Sequence, residues 1–296
     1  MKISSIQPKV LVIGSSSIDL VLNTEVFPNL GDTVMAVKSE NFYGGKGANQ
    51  SVGTARLGAS VYFVGCVGMD PHGQQILRNL VDEGVNVGFV KEHDEYSSGT
   101  AYVTATNGDN AIVVVPAANY GLKKKDIDQA ERLFETADII LVQLEIPMDV
   151  VEYVAELAKK YSKKIGLYAA PAVKLSAKLI ENVDFIIAKS NELNIIFDNQ
   201  NTDDILKQYP NKLFVRDNNS TTFFNGSEMR YYRNDLDSGS NKMGMGDAFT
   251  SGFMIAYCHG NSLGECVKFG NEVSLKVAQV RGSQKGLPYL KDFKFN

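Results

Sequence analysis

The chain has 296 residues, of which 44% are hydrophobic, 30 are basic and 34 are acidic. This length and apolar content can bury a large core, while the small negative charge and the lack of tryptophan argue against a nucleic-acid partner. No apolar signal core opens the chain and no apolar run approaches membrane-spanning length, so we expect a cytoplasmic protein without a membrane partner. The three cysteines match no disulfide framework or zinc site, and the three histidines show no ligand spacing.

Strand and helix patterns alternate along the chain, which predicts an α/β fold with a mainly parallel sheet and helices on both faces. We expect a single domain over residues 1–296. The apolar runs suited to buried strands are residues 10–13, 61–67, 139–144, 164–169, 185–188 and 212–216. Residues 149–161 carry the periodicity of an amphipathic helix. Two segments break the alternation, residues 20–43 and 97–116, and they predict paired strands outside the main sheet.

The first glycine-rich turn that carries chemistry lies at residues 42–51, with sequence FYGGKGANQS, and it opens a predicted helix. Its three glycines allow the backbone to approach a ligand closely, and Lys46 and Asn49 offer hydrogen-bond donors for hydroxyl or phosphate oxygens. The spacing is not that of a Walker A loop, so a P-loop mechanism is not supported. The turn suits a polyol.

A second glycine turn lies at residues 242–249, with sequence KMGMGDAF, and it also opens an apolar helix. The backbone N–H groups of Gly244, Met245 and Gly246 are predicted to face an anion, and Asp247 is placed to accept a proton from an attacking hydroxyl. Taken alone, such a turn is often only structural. In a parallel sheet, ligands bind beyond the carboxyl ends of the strands. Asp19, Glu145 and Asp247 all fall where strands end or helices begin.

The order and separation of these motifs resemble those of the ribokinase-like, or PfkB, carbohydrate kinases over nearly the whole chain. The stretches that carry the resemblance are residues 14–19, 44–49, 65–70, 143–147, 170–172 and 244–247. The resemblance implies a ribokinase-like three-layer sandwich. It also implies a small β-sheet lid, formed by residues 20–43 and 97–116, that closes over the sugar and makes the contact of a homodimer.

The function implied by the resemblance is ATP-dependent phosphorylation of the primary hydroxyl of a sugar, with D-ribose favoured and Asp247 as general base. Gly244, Met245 and Gly246 with Mg²⁺ would stabilise the transferring group. The implied sugar-binding residues are Ser17, Asp19, Gly45, Lys46, Asn49 and Glu145. The implied nucleotide-binding residues are Asn191, Asn218, Gly246 and Asn271. The implied ligands of a monovalent cation are Asn241, Met243 and Gly282.

The departures from the family pattern concentrate on the nucleotide and cation side. Asn241, Lys242 and Met243 replace the usual Asp-Thr-Thr, which leaves activation by K⁺ open and predicts K⁺-indifferent activity if Lys242 supplies the charge. Asn194 stands where a glutamate that helps to organise Mg²⁺ and phosphate is expected, although Glu192 lies two residues away. Residues 216–221 lack the glycines of the nucleotide loop.

Two alternatives therefore remain open. One is a non-catalytic sugar-binding pseudokinase with an eroded nucleotide and cation site. The other is a kinase for another pentose, a hexose or a nucleoside, because Ser17 and Tyr168 alter the neighbourhood of the sugar.

Overall fold

The computed structural model describes residues 1–106, 109–198, 201–217, 220–234 and 242–295. Over these residues the main sheet has nine strands in the order β15-β14-β13-β12-β11-β10-β1-β4-β6. Its strands are β1 (Lys9–Ile13), β4 (Ser60–Val64), β6 (Val85–Asn86), β10 (Ile139–Gln143), β11 (Lys164–Tyr168), β12 (Phe185–Lys189), β13 (Leu213–Arg216), β14 (Ser220–Phe224) and β15 (Met229–Arg233). Neighbours from β6 to β13 pair in parallel, and β13, β14 and β15 pair antiparallel.

Helices cover both faces of this sheet. One face carries α1 (Lys46–Arg56), α2 (Pro71–Asp82), α9 (Met245–Cys258) and α10 (Leu263–Ala278). The other carries α3 (Lys124–Gln129), α4 (Glu131–Thr136), α5 (Met148–Lys160), α6 (Ala177–Asn182), α7 (Leu193–Ile196) and α8 (Thr202–Gln208). Side chains of one strand alternate between the two cores, since Val10 and Val12 pack on the first face and Leu11 and Ile13 on the second. Burial on both faces is why the strands appear as continuous apolar runs.

Most predicted elements are confirmed to within one or two residues at their ends. The predicted helix over residues 149–161 is α5, and five of the six predicted strands correspond to β1, β10, β11, β12 and β13. The run over residues 61–67 was wrongly predicted as a single strand. It breaks at Gly65, where a Cβ atom would lie 2.7 Å from the carbonyl oxygen of Gly14. Beyond that point β5 (Cys66–Gly68) leaves the main sheet and pairs with β7 (Lys91–His93).

The two irregular segments form a separate small sheet, as predicted. Its strands are β2 (Ser17–Thr24), β3 (Ala36–Gly44), β8 (Thr100–Thr106) and β9 (Asp109–Val115), in the order β3-β2-β8-β9. Val21, Ala101 and Val103 are buried on its inner face. Asp19 lies within β2, so the prediction that it follows the end of a strand was wrong. We call this sheet the lid; its closure over a ligand remains a prediction.

The outer face of the lid carries exposed apolar side chains. Tyr102 and Val113 are paired across β8 and β9 and are 50% and 66% exposed, and Leu22 is 42% exposed. Contiguous exposed apolar patches often mark protein contact surfaces. Of the helices in the described ranges, none combines the length and the apolar character needed to cross a membrane. The three cysteines are free thiols, and Cys66 and Cys266 are buried.

Candidate active site

A cavity of about 650 Å³ opens between the lid and the carboxyl ends of the central strands of the main sheet. Its wall contains most of the residues singled out in the sequence: Ser17, Asp19, Gly45, Lys46, Asn49, Glu145, Met243, Gly244, Gly246 and Asp247. The inner face of the lid closes one side with Ala101, Ile112 and Val114. The motifs at both ends of the chain therefore converge on one space, at the position where parallel α/β sheets bind ligands.

The glycines that precede α1 allow the lid and the helix to meet at this cavity. Gly45 has φ of 85°, and a Cβ atom there would lie 2.4 Å from the Cα atom of Ser16. At Gly44 a Cβ atom would lie 2.2 Å from a carboxylate oxygen of Asp19. A side chain at Gly44 would displace Asp19, which lines the cavity, and one at Gly45 would displace the backbone of Ser16 between the lining residues Ser15 and Ser17. The helix then begins at Lys46 and carries Asn49 one turn further on.

Glu145 and Lys46 form an ion pair at the cavity wall. Lys46 Nζ lies 3.3 Å from Glu145 Oε1, while Glu145 Oε2 accepts hydrogen bonds from the Lys46 backbone N–H at 3.1 Å and from Ser15 Oγ at 2.5 Å. Burial disfavours the charged ammonium, but Glu145 and Asp247 outweigh it and raise the pKa of Lys46. Lys46 is therefore a fixed cation at physiological pH, and both side chains remain part of the cavity surface.

Asp247 lies in the first turn of α9, which follows Gly244 in the left-handed conformation with φ of 74°. Its carboxylate accepts a hydrogen bond from Asn49 Nδ2 at 2.9 Å and another from Gln50 Nε2 at 3.1 Å. Burial raises the pKa of Asp247, while Lys46 and the two amides oppose that rise. A buried carboxylate in this setting is a stronger base than one in water, which suits proton abstraction.

Asp19 projects from the lid strand β2 into the same cavity. Ser17 Oγ donates to its Oδ1 at 3.0 Å, and the side chain is buried. Burial raises the pKa of Asp19 to about 6, with a smaller contribution from the nearby carboxylate of Glu145. Asp19 is thus an anionic hydrogen-bond acceptor at neutral pH and a neutral acid at mildly acidic pH.

Tyr168 ends β11 beneath the second glycine turn. Its ring lies 5.9 Å from Lys46 Nζ, and burial raises its pKa to about 12, so the phenol stays protonated. A Cβ atom on Gly246 would lie 2.0 Å from the Tyr168 hydroxyl oxygen, which explains the glycine at that position. Tyr168 lines the cavity, so it forms part of the wall that a ligand would meet.

Arg216 ends β13 behind the same turn. Its guanidinium donates to the Met245 carbonyl oxygen at 3.4 Å and to Ser274 Oγ at 3.1 Å, and it lies 4.3 Å from the centre of the Phe249 ring. Burial lowers its pKa to about 10, so it remains a cation. The start of α9 therefore has a permanent positive charge beneath it.

The residues predicted for the nucleotide and cation do not all reach the cavity. Met243 and Gly246 line it, whereas Asn191 is exposed outside it, and Asn271 accepts a hydrogen bond from Thr221 at 2.9 Å. Gly282 has φ of 92° and packs against the Phe42 ring. Asn218 and Asn241 lie outside the described residues.

Several residues of the site were not assigned a binding or catalytic role from the sequence. Glu192 and Lys189 line the cavity, with Nζ and Oε1 3.6 Å apart, and the other carboxylate oxygen of Glu192 is buried without a hydrogen-bond partner in the part of the chain described. Ser15 and Asn119 also line it. Ser15 stands in residues 14–19, one of the stretches that carry the family resemblance, and could have been found there. Asn119 carries no local signal, since only tertiary packing brings it to Ser16, whose backbone it hydrogen-bonds at 2.9 Å.

Comparison with known proteins gives a consistent picture. The sequence pattern described as "pfkB family carbohydrate kinase" matches residues 7–290. The chain is 34% identical over 281 residues to the ribokinase of Bacillus subtilis (strain 168), covering 94% of this chain and 96% of that protein. It is also 34% identical over 190 residues to the deoxyribokinase of Salmonella typhi, covering 63% of this chain and 62% of that protein. The structure of Arabidopsis thaliana ribokinase complexed with ribose and ATP superposes with a TM-score of 0.86 at 26% identity, covering 97% of each chain.

Proposed function

Because the chain belongs to the pfkB family of carbohydrate kinases and is a ribokinase-like sugar kinase, we propose that it phosphorylates the primary hydroxyl of D-ribose with ATP. The observation that carries the proposal is the convergence on one cavity of Asp247, at the start of α9, with Lys46, Asp19 and Glu145. The similarity to a ribokinase over nearly the whole chain favours ribose.

The polar groups of the cavity suit a polyol. Asp19 and Glu145 offer acceptors, Lys46 and Asn49 offer donors, and each is held by a neighbour within the protein. A sugar lacking one of the matching hydroxyls would leave one of these buried groups unpaired, which costs affinity. The similarity to a deoxyribokinase makes 2-deoxyribose the competing pentose to test.

In the proposed mechanism, Asp247 accepts the proton of the primary hydroxyl as that oxygen bonds to the γ-phosphorus of ATP and the bond to the leaving ADP oxygen breaks. The N–H groups at the start of a helix lack partners within the helix, so those of Met245 and Gly246 are available to the transferring phosphoryl group. The buried cation of Arg216 adds positive potential at that point. The lid would exclude water, which prevents hydrolysis of the donor.

Glu192 is the residue best suited to hold Mg²⁺. Glu192 lines the cavity together with Lys189 and Lys242, and its Oε2 atom has no hydrogen-bond partner among the described residues. Mg²⁺ is usually held by one or two carboxylates together with substrate phosphates and water. When bound, Mg²⁺ neutralises part of the negative charge of the ATP phosphates. Among the described residues, no group of three acidic, cysteine or histidine side chains lies close enough together to hold a metal ion.

Activation by K⁺ stays an open prediction. Lys242 and Met243 line the cavity, whereas Gly282 packs against the ring of Phe42 and is not among the residues that line it. We propose that the Lys242 ammonium supplies the charge of the missing monovalent cation, so turnover would be independent of K⁺.

The test is ADP release from Mg-ATP with ribose, 2-deoxyribose, other pentoses, hexoses and nucleosides, each with and without K⁺. We expect ribose-dependent turnover, and we expect Asp247→Asn to lower kcat by about a thousandfold because the base is lost. Asp149→Asn is the matched control, since Asp149 is an exposed carboxylate in the first turn of α5 and lies outside the cavity.

Two results would contradict the proposal. Full activity of Asp247→Asn would remove the assigned base. Absence of turnover with every sugar, together with a rise in melting temperature on adding ribose, would identify a sugar-binding pseudokinase instead.

We further propose that the protein is a homodimer through the outer face of the lid. The exposed side chains of Leu22, Tyr102 and Val113 supply the apolar patch that such an interface needs.

A further inference from the structure

Behind Asp247 lies a chain of buried amides that does not reach the cavity. Gln50 Nε2 donates to Asp247 Oδ1 at 3.1 Å, and Gln143 Nε2 donates to Gln50 Oε1 at 2.7 Å. Both glutamines are fully buried, at 0% exposure, and neither lines the cavity. The path runs from the last residue of β10, through the second turn of α1, to the first turn of α9.

The amide chain has one consistent direction. If the side-chain amide of Gln50 were rotated by 180°, its oxygen would face the carboxylate of Asp247 and its NH₂ group would face the NH₂ group of Gln143. Two acceptors would then meet at one end of the amide and two donors at the other. Gln143 prevents this by presenting its own NH₂ group to Gln50. Its Oε1 atom has no hydrogen-bond partner within the described ranges. A buried acceptor without a hydrogen bond lowers the stability of the folded protein. This indicates that the orientation of the amides is maintained for a reason other than stability.

The sequence around Gln143 accommodates this arrangement. A Cβ atom on Gly14 would lie 1.9 Å from Gln143 Oε1, so the glycine at the exit of β1 leaves room for the amide. The pairing of Gln143 with Tyr168 fixes the end of β10 against the end of β11. The glutamine is thus attached to an interior strand of the sheet, since β10 lies between β1 and β11.

We propose that Gln143 and Gln50 are positioning residues for the proposed kinase reaction: Gln143 orients the amide of Gln50, and Gln50 fixes the Asp247 carboxylate in its reactive orientation. Gln50 takes one lone pair of Oδ1 and Asn49 takes one of Oδ2, so the carboxylate cannot rotate about its last bond. The remaining lone pairs are left for the substrate hydroxyl. The proposal rests on the proposed function of Asp247 as base.

Other ionisable groups also act on Asp247 and must be considered in any pH measurement. Lys46 and Arg216 favour its ionised form, while Asp19 and Glu145 disfavour it. A substitution of Gln143 leaves all four in place. A change in the titration of Asp247 can then be attributed to the amide chain.

The experiment compares Gln143→Met with the wild-type protein over pH 5 to 9. Methionine has a similar length but no donor, so Gln50 loses its orientation. We expect kcat to fall about tenfold, with the KM for the sugar within twofold of the wild-type value. We also expect the acidic limb of the kcat profile to move to higher pH, since an N–H donor that stabilised the carboxylate is lost. Gln50→Met should give the same changes or larger ones.

Thr54→Val is the matched control. Thr54 is a fully buried residue one turn further along α1, and its hydroxyl finds no partner among the residues described. The substitution alters the same helix core without touching the amide chain, so kcat and its pH profile should not change. A variant Gln143→Met with unchanged kcat and an unchanged acidic limb would overturn the proposal, as would equal losses in Thr54→Val.

A second measurement separates this inference from the proposed function. The carboxyl carbon of Asp247 can be followed by NMR in protein labelled with ¹³C-aspartate, with Asp247→Asn used to assign the signal. A higher pKa in Gln143→Met than in the wild type supports the amide chain even if no sugar is turned over. An unchanged titration overturns it, whatever the activity.

Discussion

At the scale of single residues, Asp19 lowers the stability of the folded protein at neutral pH and has a proposed role in binding the sugar. Burial raises its pKa from 3.8 to about 6, so the ionised form is less stable in the folded protein than in the unfolded chain. The sign follows from linkage: this destabilisation is absent below pH 3.8, grows between pH 3.8 and 6, and is complete above pH 6. A residue that costs stability at neutral pH and lines the cavity is typical of a functional site.

The substitution Asp19→Asn tests that reasoning. We expect the free energy of unfolding at pH 8 to rise by about 1–2 kcal/mol, because a buried charge is removed. We also expect the KM for the sugar to rise by at least about tenfold, because a charged acceptor is lost. Urea unfolding and steady-state kinetics measure the two effects. In the wild type, the KM should rise as the pH falls below about 6, where Asp19 becomes protonated.

Asp94→Asn is the control for both measurements, since Asp94 is 81% exposed and should change stability by less than about 0.5 kcal/mol. A loss of stability in Asp19→Asn, or an unchanged KM, would argue against the assignment of Asp19 to the sugar.

The residues of the cavity were predictable where they stand in a glycine motif and unpredictable where tertiary packing alone brings them there. Lys46, Asn49 and Asp247 follow glycines that signal a turn into a helix, and the cavity contains all three. Gln50 and Gln143 stand beside predicted residues in the sequence, yet their pairing across 93 positions depends on the packing of α1 against β10. No local pattern specifies such a contact.

At the scale of elements, α2 shows how one cap ties a helix to the lid. Asp70 Oδ1 accepts a hydrogen bond from the Gly73 backbone N–H at 2.7 Å, and Asp70 Oδ2 accepts one from the Ser98 backbone N–H at 2.7 Å. The second bond holds the chain just before β8 enters the lid sheet. Although burial opposes it, hydrogen bonding from Ser98 and Gly73 lowers the pKa of Asp70.

We therefore expect Asp70→Ala to reduce the free energy of unfolding by roughly 1–2 kcal/mol, the usual cost of losing a helix cap. Chemical denaturation at pH 7 measures it. Because the folded pKa is lowered, the contribution of Asp70 is present at neutral pH and is lost as the pH falls below 3.8 through that lowered value. Asp82→Ala, at the exposed end of the same helix, should be neutral within about 0.5 kcal/mol. Equal stability of both variants would refute the capping role.

The strands and helices were largely predictable, because the period of the apolar pattern and the length of each segment distinguish them. The errors in their prediction have identifiable causes. The apolar run over residues 61–67 gave no sign of its break, since Cys66 and Val67 continue the pattern while joining another sheet. The assembly of β2, β3, β8 and β9 into one lid sheet depended on family resemblance as well as on pattern, because β2 and β8 pair across about 80 residues.

At the scale of the whole molecule, the outer face of the lid makes the proposed dimer testable. Val113→Lys places a charge within that apolar patch, where burying it in an interface is unfavourable. We expect the dimer dissociation constant to rise by about a hundredfold or more. Analytical ultracentrifugation across protein concentrations measures the change.

Tyr231→Lys provides the comparison, since Tyr231 is 59% exposed on β15, outside the lid. It should leave the oligomeric state unaltered. A wild-type protein that sediments as a monomer at all concentrations would end the dimer proposal.

The strand order of the main sheet has a consequence for how the protein is made. Outward from β1, strands β4 and β6 lie on one side and β10 to β15 lie on the other, each in the order in which the ribosome delivers them. We infer that every newly synthesised strand finds its inner neighbour already synthesised, which limits the exposure of unpaired edges on the nascent chain. Asp247 follows the last strand and emerges roughly ten to fifty seconds after β1 at ordinary rates of translation. A prematurely terminated chain would thus carry most of the sugar-binding groups and no phosphoryl-transfer activity.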